Sequence, residues 1–389
     1  MSALRVVQVS FHLDGQRRGA ESLLAAWPTL SAVAIAAAAA GCDVTVVQAA
    51  HRTETVERGG VTFRFVGDAD RVHARVIQCV SSLRPDVVHV QGFVAARWMR
   101  PLARALPGVP LLVQDHGSVP PTGWRRWAAR WAYGCLAGAA FTARDQALPW
   151  KRAGILRERL PVFEVLEGTS EFTPGDRAAA QRATGMFGDP CLFWTGRLDA
   201  NKDPMTMLSA FEHAATRLHD ARLWCCYGDA PLLSAVQRRI AASRVLAERV
   251  VLLGTRPHDE LEQRYRAADF FVQTSHREGS GYSLLEAMAC GVTPLVTDIP
   301  AARAIVGAAG SLTPVGDAGA LGDAIVSWSS RDGASLRRAA RARFDEALTF
   351  AAIGGQLRHA YETLALGVPD AGAGRVESAR LSHARLGHT

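Results

Sequence analysis

Short apolar runs, closed by polar residues or glycine, alternate along the chain with longer stretches whose apolar residues recur at helical spacing. In the first half the runs Val6–Val9, Val44–Gln48, Val61–Val66, Val87–Val90, Leu111–Gln114 and Val162–Leu166 predict strands. In the second half the runs Leu192–Thr195, Leu223–Tyr227, Val250–Leu253, Phe270–Gln273 and Pro294–Thr297 do the same. Residues Glu21–Ala40 are alanine-rich and predict a helix that Pro28 interrupts or restarts and Gly41 ends. Ile353, Leu357, Ala360, Tyr361 and Leu364 give a last helix one apolar face. Buried strands alternating with helices predict an α/β fold with doubly wound parallel sheets.

The most informative stretch is Phe270–Thr297, a strand–loop–helix–strand unit. Its polar loop holds Glu278, and the helix that follows holds Glu286. Between them the backbone N–H groups of Gly279, Ser280, Gly281, Tyr282 and Ser283 are left unpaired by the helix itself. N–H groups at a helix start favour an anion, and the glycines let it come close to the backbone. A phosphate there and a carboxylate beside it suit a sugar nucleotide. The run Gly279-Ser-Gly281-Tyr-Ser-Leu284 also opens like a dinucleotide fingerprint, but Leu284 stands at the third glycine and a polar loop separates the run from its strand. Two further loops follow strands. Gly196-Arg197-Leu198-Asp199-Ala-Asn-Lys202-Asp203 carries two cations that could both reach a diphosphate. Asp115-His116-Gly117 puts a histidine at the C-terminal end of a parallel strand, where α/β folds bind ligands.

The spacing Glu278-x7-Glu286, followed by Ala-Met-Ala-Cys-Gly, together with the G-R-L-x-x-x-K-D segment at 196–203, resembles the family-4 retaining glycosyltransferases. The resemblance runs over about residues 5–365. It implies a GT-B architecture, two Rossmann-like doubly wound parallel-sheet domains facing a cleft. Residues 1–170 would form the N-terminal acceptor domain and residues 171–350 the donor domain. Residues 351–366 would be a helix crossing back to the first domain, and residues 367–389 a disordered tail. It implies transfer of a sugar from a nucleotide-diphosphate sugar to an acceptor not identified, with retained configuration, by front-face attack or through a covalent intermediate. Glu278 would face the transferred sugar, His116 would contact the donor sugar or the phosphate region, and Glu286 would hold the ribose. Arg197 and Lys202 would neutralise the leaving diphosphate in place of a metal, with no cofactor. The loop Gly254-Thr255-Arg256 would pack on the nucleobase, and the loop at Gly19 would approach the donor phosphates. Two departures stand out: Arg18 replaces the first glycine of a Gly-Gly pair, and Ser280-Gly281-Tyr282-Ser283 replaces the common Phe-Gly-Leu. The alternatives are a sugar-nucleotide epimerase on the same fold, a non-catalytic nucleotide-binding protein, and a nicotinamide-type oxidoreductase.

Composition adds less. Seven cysteines without a C-x-x-C pair argue for a reducing, cytoplasmic setting and against structural zinc. No signal-peptide pattern precedes the first strand, which points the same way. Residues 1–168 hold 20 Lys+Arg against 13 Asp+Glu and residues 169–389 hold 24 against 24, so the whole excess of +7 lies in the first half. Such a half suits an acidic substrate or an anionic membrane, and no nucleic-acid motif accompanies it. Nearly all of that excess is arginine, which codon usage alone would explain. In Gly123–Tyr133 the residues Trp124, Trp127 and Trp131 share one helical face. The favoured expectation is a helix packing them on the core. The alternative is an interfacial helix giving peripheral contact with the inner membrane face.

Overall fold

β1 (Arg5–Ser10) sits near the middle of an eight-stranded sheet in the computed structural model, which describes residues 3–67 and 71–367. The strands β2 (Asp43–Ala50), β3 (Glu54–Arg58) and β4 (Val61–Gly67) lie to one side. β5 (Val87–Gln91), β6 (Leu111–Gln114), β7 (Gly138–Phe141) and β8 (Val162–Glu164) lie to the other. The order is β3-β4-β2-β1-β5-β6-β7-β8, and only β3 runs antiparallel to its neighbour. The second sheet comprises β9 (Cys191–Gly196), β10 (Arg222–Tyr227), β11 (Val250–Gly254), β12 (Phe270–Gln273), β13 (Thr293–Thr297) and β14 (Ser311–Thr313). It is parallel throughout, in the order β11-β10-β9-β12-β13-β14. Both sheets are doubly wound, as the sequence predicts. Each has its switch point where strand order reverses, between β1 and β5 in the first and between β9 and β12 in the second. Loops leaving the strands there in opposite directions open a crevice, which is where such sheets bind ligands.

Three strands escaped the sequence reading. β3 has mostly exposed, charged positions because it is an edge strand, and its only signal is the Gly59-Gly60 turn. β7 reads Gly-Ala-Ala-Phe, without the β-branched residues that mark strands, yet it is fully buried. Small residues are required there: a Cβ on Gly138 would stand 3.0 Å from Phe163 and 3.2 Å from Leu364. β14 is three residues long.

The helix Phe350–Ala365 lies against the first domain. Gly354 sits on the Pro28–Ala39 helix so closely that a Cβ would come within 2.2 Å of the Ala36 carbonyl oxygen. Tyr361 reaches under β1 and β5, where its hydroxyl accepts from Gln8 (3.2 Å) and lies 2.8 Å from His89 Nδ1. Complete burial holds the pKa of His89 down to about 3. The helix Phe350–Ala365 is thereby part of the first domain's core. Apart from Gly367, the tail expected over 367–389 lies outside the described residues. Among the described residues no single helix is long and apolar enough to cross a membrane.

The helix Gly123–Tyr133 is present, but its tryptophans do not pack on the core. Trp124, Trp127 and Trp131 are 75%, 63% and 56% exposed, and the buried face carries Ala129, Ala132 and Tyr133. Helical spacing shows that the tryptophans share a face without showing which way the face points. Here the helix lies against the helix Ala96–Ala105, and the small alanines allow the close approach.

Candidate active site

The two loops that leave β9 and β12 at the switch point are laced together. The His276 amide donates to the Asn201 carbonyl (2.8 Å), and Asn201 Nδ2 donates to the Arg277 carbonyl (3.0 Å). Thr274 Oγ1 donates to the carbonyls of Lys202 (2.8 Å) and Asp203 (2.9 Å). Asp203 caps the helix Pro204–Ala215, accepting from the Thr206 amide, and holds a φ of 45° to do so. A non-glycine residue in that region is strained by about 1–3 kcal/mol and needs such surroundings to persist. The lacing fixes Lys202 beside Glu278, so that Lys202 Nζ pairs with Glu278 Oε1. Gln273 Nε2, from the end of β12, donates to the same oxygen (2.7 Å). Arg197 pairs with Asp199 at 3.1 Å and remains mostly exposed.

The helix Tyr282–Ala289 starts immediately after this loop, with Gly281 as its N-cap in the left-handed region (φ 64°). Among the described residues the amides of Gly279, Ser280, Gly281, Tyr282 and Ser283 find no acceptor. They line a cavity of about 320 Å³ together with Arg197, Lys202 and Glu278. The cavity contains two carboxylates, Glu167 and Glu278, against three cations, Arg197, Lys202 and Arg277. Its surface is polar and is lined by residues with free amide donors, a combination that attracts an anion.

The first domain closes the other wall. His116 follows β6 in a turn fastened by Asp115, whose carboxylate accepts from the amides of Gly117 (3.1 Å) and Ser118 (2.9 Å). Its Nδ1 pairs with Glu167, and its Nε2 lies 2.9 Å from Gln91 Oε1. Gln146 reaches across and donates to the carbonyls of Glu278 (2.9 Å) and Gly279 (3.1 Å). Thr142 Oγ1 and Ser280 Oγ lie 3.3 Å apart.

The sequence-derived residues therefore divide. Arg197, Lys202, Glu278, the 279–283 amides and His116 meet in one cavity. Glu286 does not join them. Its carboxylate accepts from Tyr265 OH (2.8 Å), lies 2.7 Å from His258 Nε2, and faces a second, larger cavity of about 1110 Å³. Tyr282 stands between the two cavities and lines both. The bond to Glu286 raises the pKa of His258. Gly254 ends the edge strand β11, two strands away from β9, Thr255 and Arg256 follow it, and none of the three lines either cavity. Gly19 lies outside both as well. The helix Ala20–Ala26 that it opens is met by Glu54 of β3, which accepts from the Ala20 amide (3.0 Å). Glu167, Gln273, Arg277 and Gln146 went unread in the sequence. Gln273 could have been found by the rule that picked out His116, the end of a parallel strand at a switch point. Gln146 carries no local signal, because its role exists only once the domains face each other.

Two family models match the chain in its two halves, "Glycosyltransferase Family 4" over residues 29–146 and "Glycosyl transferases group 1" over residues 189–330. One match falls in each sheet domain, so both domains are of the family-4 glycosyltransferase type. A D-inositol 3-phosphate glycosyltransferase of a Mycobacterium species is 35% identical over 178 residues, 43% of this chain and 39% of that protein. A GDP-mannose:cellobiosyl-diphosphopolyprenol alpha-mannosyltransferase of Xanthomonas campestris is 27% identical over 218 residues, 55% and 56% of the two chains. The chain thus spans about two fifths of the length of the first of these relatives. Among solved structures, HepE of Anabaena in complex with UDP superposes with a TM-score of 0.69 at 16% identity, covering 92% of this chain and all of that one. A glycosyltransferase of Rickettsia africae gives 0.67 at 14% identity over 94% and 99% of the two chains. These likenesses establish the GT-B fold, two α/β domains facing a cleft.

Proposed function

We propose that the protein transfers a glycosyl group from a nucleotide-diphosphate sugar to an acceptor in the cleft, with retention of configuration. The observation that carries this reading is the row of unpaired amides at 279–283 opposite Arg197 and Lys202. A diphosphate laid there would take the amides and displace Asp199 and Glu278 from the two cations. Arg197 and Lys202 would then stabilise the negative charge that develops on the leaving diphosphate, so the reading calls on no cofactor. Glu278, freed of Lys202, would turn to the transferred sugar and offset positive charge at its anomeric carbon. Glu286, at 12% side-chain exposure, would meet the nucleoside in the larger cavity by exchanging His258 for ribose hydroxyls. HepE, whose structure contains UDP, supports the class of donor.

Calorimetric titration with UDP, GDP, ADP and NAD tests the reading. Binding of at least one nucleoside diphosphate, lost on Arg197→Ala with Lys202→Ala, is expected. Binding of NAD alone would overturn it. Proton NMR of the fresh product from an α-linked donor should show an α-linkage.

The exposed tryptophans belong to the same proposal. Arg125, Arg126 and Arg130 lie 5.5 to 5.9 Å from the Trp124 and Trp127 rings, so the face combines aromatic anchors with cations. That pairing suits the boundary of an anionic bilayer, and it supports the reading of a cytoplasmic enzyme peripheral to the inner membrane face. Sedimentation with phosphatidylglycerol vesicles should be lost when Trp124, Trp127 and Trp131 are all replaced by serine. Equal sedimentation of both proteins would remove this part of the proposal.

A further inference from the structure

A third cavity, of about 360 Å³, lies in the first domain over the switch point between β1 and β5. It meets the donor cavity at His116 and Glu167, which line both. An acceptor resting in it would point at the transferred sugar. We propose that this cavity takes an uncharged, polyhydroxylated ring, a sugar or cyclitol without phosphate, as the acceptor; the inference rests on the transfer reading above.

Its wall combines apolar side chains, Leu30, Val33 and Val94 among them, with groups that both give and accept hydrogen bonds. Three strand-borne amides, Gln8, Gln48 and Gln91, line it. Gln48 is fully buried, and its Nε2 donates to the carbonyls of His12 (2.5 Å) and Ala49 (2.9 Å). Its Oε1 is left with no donor among the described residues. A buried acceptor without a donor is costly, and after a turn of the side chain a ligand hydroxyl would supply what it lacks. One side of the cavity is aromatic, formed by the Trp27 ring with the His12 ring 5.5 Å away and tilted by 49°. Such a wall suits the C–H face of a saturated ring.

The charges exclude an anionic acceptor. Among the described residues no lysine or arginine lines the cavity, and Glu167 is the one carboxylate that does. The Arg18 guanidinium lies 5.5 Å from the Trp27 ring and is bound at both ends by Asp14, at 3.0 and 2.8 Å. Phosphate recognition calls for the opposite arrangement, with free guanidinium or ammonium groups aimed at the site. The Arg197 and Lys202 cations sit across the cleft, committed to the donor.

Saturation-transfer NMR on the full chain tests this, after calorimetry has found which of UDP, GDP and ADP binds. Failure of all three retires the transfer reading itself. With the bound nucleotide present, a panel of glucose, mannose, galactose and myo-inositol is compared with glucose 6-phosphate, mannose 6-phosphate and inositol 3-phosphate. At least one neutral ring should give signal, and the phosphorylated forms should bind weaker by on the order of tenfold. Trp27→Ala and Gln48→Leu should each cut the neutral signal by about fivefold with nucleotide affinity unchanged. If one variant fails to fold by circular dichroism, the other decides. Tighter binding of a phosphorylated ring, above all if Arg18→Gln abolishes it, would overturn the proposal. So would silence from every neutral ring, or variants that bind them as the parent does.

Discussion

Gly117 of the first domain and Gly279 of the second meet backbone to backbone across the cleft. A Cβ on Gly117 would stand 3.2 Å from Gly279 Cα, and a Cβ on Gly279 would stand 3.0 Å from Gly117 Cα. Neither partner can yield as a flexible side chain would, so an added methyl must part the domains. Gly279→Ala should hold the cleft open by a few tenths of an ångström and weaken the reach of Gln146 to the Glu278 carbonyl. Misplacement on that scale is costly to rate, and a loss of transfer on the order of tenfold with little loss of melting temperature is expected. An alanine variant with the parent's rate would show that closure does not depend on this contact.

Lys202 and Glu278 hold each other while the donor is absent, and both side chains are less than a fifth exposed. Removing Lys202 leaves Glu278 with Gln273 as its remaining side-chain partner and takes a cation from the leaving diphosphate. Lys202→Ala should lower kcat by on the order of 10²–10³. Glu278→Gln should keep nucleoside diphosphate affinity and lose rate. Both are read from initial rates alongside calorimetry. Nucleotide affinity that falls as steeply as rate in Glu278→Gln would place the carboxylate on the diphosphate instead.

His258 supplies a pH dependence to the nucleoside side. Its pKa is raised from 6.5 by the bond to Glu286, so the folded protein binds the proton more tightly than the unfolded chain. The stabilisation is complete below pH 6.5 and is lost as pH rises through the raised value. The thermal stability of the parent should therefore converge on that of His258→Gln as pH rises from 6 to 9. A constant gap between the two across that range would contradict the pairing.

His89 works in the opposite direction. Its folded pKa of about 3 lies below the ordinary 6.5, so the unfolded chain takes up the proton first. Stability is intact above pH 6.5 and falls as pH drops towards 3, by on the order of a few kcal/mol. His89→Gln should flatten that fall in urea titrations at pH 7, 5 and 4. Equal slopes in the two proteins would show that other groups govern acid unfolding.

Much of the site could be read from the chain because strand ends and helix starts carry their own signals. Lys202 and Glu278 stand 76 residues apart, yet each follows a strand that the pattern of apolar runs predicts, and the two strands are neighbours. The sequence could not show that Tyr282 would divide the cleft, putting Glu278 in one cavity and Glu286 in the next. The spacing E-x7-E sets distance along a chain, not which side of a side chain each carboxylate faces. The tryptophan helix shows a similar gap between pattern and structure. A face of three large aromatics reads as core until the packing shows that Ala129 and Ala132 are what a neighbouring helix can approach. Contacts between domains, such as that of Gln146, leave no trace in local sequence.

The seat of Gly354 on the Ala36 carbonyl has a mechanical consequence. The chain passes between the domains twice, once on leaving β8 and once on entering the helix Phe350–Ala365, and the second passage is anchored at its far end. A second tether removes relative motions of the domains that a single one would allow, so that closure is expected to return Gly117 to Gly279.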